Sequence, residues 1–163
     1  MTGFLFERAL RLLAKNFPEE PMKKPVLYHS VRVGVYLWNH SYDENLQIAG
    51  LLHDALEDTP LQERDIGDNF GQEVLDIVRA NSKNPDLEKS KILEDMVQRC
   101  AQVGERAMIV KMADIYDNFL FYTRKNALPE IEMGKQLARL VRTYKKEEWS
   151  DAIFEKIPEI LHF

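Results

Sequence analysis

An all-α fold, a single-domain helical bundle over residues 1–163, is what this sequence predicts, and three observations predict it. Apolar residues recur at helical spacing almost from end to end. No stretch alternates apolar and polar residues convincingly enough to read as a strand. The seven Gly and seven Pro are few and scattered, which excludes collagen-like, low-complexity and linker-dominated architectures. At 163 residues, 45% of them apolar, the chain is long enough to bury roughly 70% of its unfolded surface in one core.

Element by element, Phe4, Leu5, Leu12 and Leu13 mark a first helix over about residues 2–16. Pro18, Pro21 and Pro25 interrupt the chain, and Pro25 suits the first turn of a second helix over about 25–40, with Leu27, Val31, Val35 and Trp38 as its expected core face. Asp43 caps a third helix that is expected to run on to about Leu56. After Thr59-Pro60 come a short helical piece around 61–69 and a helix around 71–81 entered at Gly71. Asn81-Ser82-Lys83-Asn84-Pro85-Asp86 is a loop by composition. The helix after it carries Ile92, Leu93, Met96, Val97 and Cys100 on one side, which makes Cys100 a core thiol. Segments of about 105–126, 129–146 and 148–160 complete the bundle, with Pro129 and Pro158 marking starts or stops.

Charge and composition narrow the function. Against 22 basic residues stand 27 acidic ones, and a net charge of −5 argues against affinity for a nucleic-acid backbone or an anionic membrane surface. A small phosphate-bearing molecule stays open, because a local cation reverses the field inside one cleft. The single Cys100 cannot form an internal disulfide, no apolar run reaches membrane-span length, and Glu7, Arg8 and Arg11 break the apolar start. A cytoplasmic protein is expected.

The informative anomaly is polar residues inside apolar helices. The third helix is apolar nearly all round, yet it carries His53 and Asp54, which need partners if buried. Glu57 and Asp58 follow each of these by four residues, so a continuous helix would point all of them to one end. On the helix over about 105–126, Lys111, Asp114 and Asn118 fall within an arc of roughly 60°, forming one polar stripe, while Asp117 points elsewhere. The second helix adds His29. Singly, His29 reads as an ordinary structural histidine and Asp114 with Asn118 as a hydrogen-bonding pair. Together, two imidazoles and two carboxylates make a mixed N/O donor set suited to Mn²⁺, Fe²⁺, Zn²⁺, Mg²⁺ or Co²⁺, with positions left for water.

His29, then His53-Asp54, then Asp114 resembles the H…HD…D signature of the HD metal-dependent phosphohydrolase superfamily. Gly50-Leu51-Leu52-His53-Asp54-Ala55-Leu56-Glu57-Asp58-Thr59 and Val110-Lys111-Met112-Ala113-Asp114 followed by Asn118 resemble two segments of the ppGpp (guanosine tetra- and pentaphosphate) pyrophosphohydrolases, the hydrolase half of the RelA/SpoT family. The resemblance covers about residues 20–126. It implies an HD-type bundle in which His29, His53, Asp54 and Asp114 hold one divalent metal ion, usually Mn²⁺. It further implies that Glu57 and Asp58 act as the acid/base pair on the attacking water and that Asn118 contacts a phosphorylated nucleotide. Lys24, with Lys89 and Lys91, is a candidate to hold distal phosphates as a point charge. Three features depart from the family pattern: Glu20-Pro21-Met22 stand where a basic pair and a Gly are usual, Ser30 replaces a Pro, and Leu120 replaces an Arg. His40 and His162 are poorly placed for a second metal.

The leading expectation is metal-dependent hydrolysis of a ppGpp-like 3′-pyrophosphate. Other nucleotide phosphatase or pyrophosphohydrolase activity, a non-catalytic nucleotide sensor and a purely helical interaction domain are the alternatives.

Overall fold

The structure, a computed structural model, describes residues 3–19 and 25–163. Among the described residues every regular element is helical: α1 (Phe4–Asn16), α2 (Val26–Asn39), α3 (Glu44–Leu52), α4 (Ala55–Asp58), α5 (Glu63–Phe70), α6 (Gln72–Asn81), α7 (Lys89–Val103), α8 (Glu105–Thr123), α9 (Leu128–Tyr144), a 3-10 turn (Ala152–Glu155) and α10 (Lys156–Leu161). The all-α expectation holds, and the caps explain several boundaries. Asp43 accepts hydrogen bonds from the Asn45 and Leu46 amides at 3.1 and 3.3 Å and so starts α3. Gln62 and Asp65 form a reciprocal capping box at the start of α5, and Gly71 separates α5 from α6 at a φ of 90°. None of these helices is long and apolar enough to cross a membrane. The chain divides into two compact units, Met1–Ser82 and Lys83–Phe163.

In the first unit α3 packs against α1, α2 and α6. Leu46, Ile48, Ala49, Gly50, Leu51 and Leu52 are all buried, as the all-round apolar sequence requires. Its neighbour α2 shows the opposite face to the one expected. Val35 and Trp38 are 39% and 47% exposed, whereas Val26, His29, Ser30, Val33, Gly34 and Leu37 are buried. The reason is backbone approach. A Cβ on Gly34 would lie 3.0 Å from both Leu51 Cβ and Phe6 Cε2, and a Cβ on Gly50 would run into Leu37 Cδ1. Two helices this close must bring their smallest residues to the contact, and His29 and Ser30 ride inward with Gly34. Gly34→Val is therefore expected to cost about 1–3 kcal/mol by overpacking, read as a lower urea midpoint with an unchanged m-value.

A second difference lies at the end of α3. The helix stops at Leu52 instead of running to Leu56, and α4 restarts it at Ala55. Asp54 sits between them at φ −97°, ψ 1°, and its carbonyl accepts the Glu57 and Asp58 amides at 3.1 and 3.0 Å.

The second unit is built on α8, which packs against α7, α9, the 3-10 turn and α10. Residues Ala107–Ile115 of α8 are buried, including Lys111 and Asp114. Cys100 is fully buried on α7, and burial pushes its thiol up to about 11, in keeping with an inert core residue. The C-terminal helix is fastened to α8 where the Tyr116 hydroxyl donates to Glu159 at 2.7 Å.

Candidate metal centre

In the first unit the α2–α3 contact sets His29 against His53. Both are buried, and their Nε2 atoms lie 3.2 Å apart with the rings nearly perpendicular, at 83°. The broken helix end then turns Asp54 toward them, its Oδ2 lying 3.3 Å from His53 Nε2 and 3.9 Å from His29 Nε2. The Asp54 side chain keeps 18% of its surface exposed, so water reaches the cluster from that side.

The donor set decides what such a cluster suits. His53 Nδ1 lies 2.7 Å from the Gly50 carbonyl, which only accepts, so Nδ1 carries the hydrogen. In the neutral ring Nε2 then offers a lone pair, toward a second imidazole nitrogen and a carboxylate oxygen. A proton shared among these three atoms bridges two of them, whereas a divalent cation can take all three. The donor atoms of His29, His53 and Asp54 suit such an ion, with the Gly50 carbonyl as the outer partner that fixes the His53 tautomer.

Glu57 and Asp58 lie on α4, half-buried, and their amides rather than a continuing α3 tie them to Asp54. The helical continuity assumed from the sequence is thus replaced by a tighter link through one carbonyl.

The second unit carries the other polar stripe. Asp114 is 9% exposed on α8, and both its oxygens are engaged from the same helix. Asn118 Nδ2 donates to Oδ1 at 2.7 Å, and Lys111 Nζ donates to Oδ2 at 3.0 Å. Lys111 is itself 1% exposed and also reaches Met96 Sδ at 3.3 Å on α7. The sequence placed these three side chains in one arc without pairing them; Lys111 as the partner of Asp114 is the residue that reading missed. Lys89 and Lys91 are exposed at the start of α7, with Lys91 paired to Glu88 at 3.3 Å, as a solvated face would have them. Lys24 falls outside the described residues.

Comparison with known proteins gives this arrangement a context. The family profile of the HD domain matches residues 7–120. Guanosine-3′,5′-bis(diphosphate) 3′-pyrophosphohydrolase MESH1 of Drosophila melanogaster is 31% identical over 102 residues, covering 61% of this chain and 57% of its own length. Bifunctional (p)ppGpp synthase/hydrolase SpoT of Escherichia coli K12 is 26% identical over 139 residues, covering 68% of this chain and 20% of its own. The match thus spans little more than half of the first of these relatives and a fifth of the second. Among solved structures, a metazoan ortholog of SpoT described as hydrolysing ppGpp superimposes with a TM-score of 0.79 at 22% identity, covering 99% of this chain and 96% of its own. A Listeria monocytogenes EGD-e protein superimposes with a TM-score of 0.67 at 22% identity, covering 89% and 96%. Both structural likenesses are likenesses of fold.

Proposed function

The chain belongs to the HD-domain family, which its match over residues 7–120 carries, and from that premise we propose that it is a metal-dependent hydrolase of a ppGpp-like nucleotide, releasing the 3′-pyrophosphate. The observation that carries the reading is the convergence of His29 Nε2, His53 Nε2 and Asp54 Oδ2 within 3.9 Å, with the His53 tautomer set by Gly50. The names of the MESH1 and SpoT relatives supply the substrate class. His29, His53, Asp54 and Asp114 are the proposed ligands of one ion, Mn²⁺ by family resemblance. The HD match runs through both compact units, which supports their working as one domain. A cytoplasmic location suits a nucleotide substrate of this kind.

A divalent ion held there would lower the pKa of a bound water and offset the charge on the phosphoryl oxygens. The protein's own part is then proton handling and orientation. Glu57 and Asp58, linked to Asp54 through its carbonyl, are the proposed acceptors of the water's proton and donors to the leaving oxygen. Lys24 is proposed to meet distal phosphates and Asn118 to lie beside the nucleotide. The testing experiment is product analysis with ppGpp and a nucleotide panel, with and without Mn²⁺, beside Asp54→Ala. Mn²⁺-dependent pyrophosphate release from ppGpp, lost in Asp54→Ala, is the expected result. Turnover of other nucleotides alone would move the substrate, and bound metal without turnover would turn the enzyme into a nucleotide sensor.

A further inference from the structure

Lys111 has no part in the function proposed above, yet it is among the most buried charged side chains described. At 1% exposure its ammonium relies on protein groups rather than water, among them Asp114 Oδ2 at 3.0 Å and Met96 Sδ at 3.3 Å. A thioether is a weak acceptor, which leaves the carboxylate as the strong one of these two partners. The two residues are three positions apart on α8, so helix geometry holds the pair in register and Met96 closes it from α7. Asn118 Nδ2 meanwhile holds Oδ1 at 2.7 Å. Both oxygens of Asp114 are therefore held in direction by hydrogen bonds from its own helix.

We propose that Lys111 is a positioning residue: it orients the Asp114 carboxylate as a metal ligand. This rests on the reading of Asp114 as a ligand.

The test is calorimetric titration of the metal-free protein with Mn²⁺, accompanied by thermal melts of each metal-free variant, on Lys111→Met, Asp114→Asn and the double variant. Lys111→Met keeps the length of the side chain and removes its charge. It is expected to bind Mn²⁺ about 10- to 100-fold more weakly at a temperature where its melt shows it folded. In the Asp114→Asn background the same change should alter affinity by less than about twofold, because a residue acting through Asp114 has nothing left to act on. The double variant removes both charges together, so it keeps the comparison available should Lys111→Met alone fail to fold. Wild-type affinity in folded Lys111→Met, or an equal loss in both backgrounds, would overturn the proposal. Failure of the wild-type protein to take up stoichiometric Mn²⁺ would instead overturn the metal reading on which it stands.

Discussion

His53→Asn is expected to lower turnover by more than about 100-fold and to abolish stoichiometric Mn²⁺ uptake, while leaving the metal-free protein folded. The choice of Asn matters. Its amide nitrogen falls near the place of the imidazole Nδ1 and can keep the 2.7 Å hydrogen bond to the Gly50 carbonyl. What it lacks is the Nε2 lone pair that faces His29 and Asp54. His53 is fully buried, so a cruder truncation would mix a cavity with the loss of a ligand. Metal analysis of the purified variant beside its circular dichroism and melting curve separates the two effects. A folded His53→Asn protein that retains one Mn²⁺ per chain would show that this nitrogen is not a ligand.

The second large effect is expected at the carboxylates of α4. Glu57→Gln and Asp58→Asn keep shape and hydrogen-bonding capacity but cannot exchange a proton, so the one that handles the water's proton should lose about 10²- to 10⁴-fold in kcat with Mn²⁺ stoichiometry unchanged. Both side chains are half-buried on a single helical turn, and the amides that tie this turn to the Asp54 carbonyl belong to the backbone and survive either substitution. The measurement is steady-state kinetics at saturating Mn²⁺. If both variants kept kcat within about threefold of wild type, proton transfer would have to be reassigned.

Much of this was legible from residue spacing. Most helices start where the apolar periodicity and the caps put them, because Asp43, Gly71 and Pro129 each act locally, but the helix expected over about 148–160 is a 3-10 turn followed by the short α10. The buried face of α2 was not legible. That helix is apolar on more than one side, and the reading followed the large residues Val35 and Trp38 when the deciding feature was Gly34, whose value lies in what another helix brings against it. His29, His53 and Asp54 stood out because a buried helix has no ordinary use for them. The interruption at Asp54 did not, since neither Gly nor Pro marks it. Lys111 was visible as part of a stripe, but a stripe gives direction only, and its 1% exposure and its contact with Met96 of α7 come from tertiary packing.

The early end of α3 has a further consequence. Its aligned peptide dipoles bring a partial negative charge to the last turn, beside which the chain sets a carboxylate, Asp54. An anion at that end of a helix is unfavourable by about 0.3–1 kcal/mol, and a cation is favourable by a similar amount. The macrodipole of α3 thus opposes the metal-free state and favours the loaded one. Under the metal reading, the supply of the divalent ion therefore becomes a variable of the protein's folding equilibrium as well as of its catalysis.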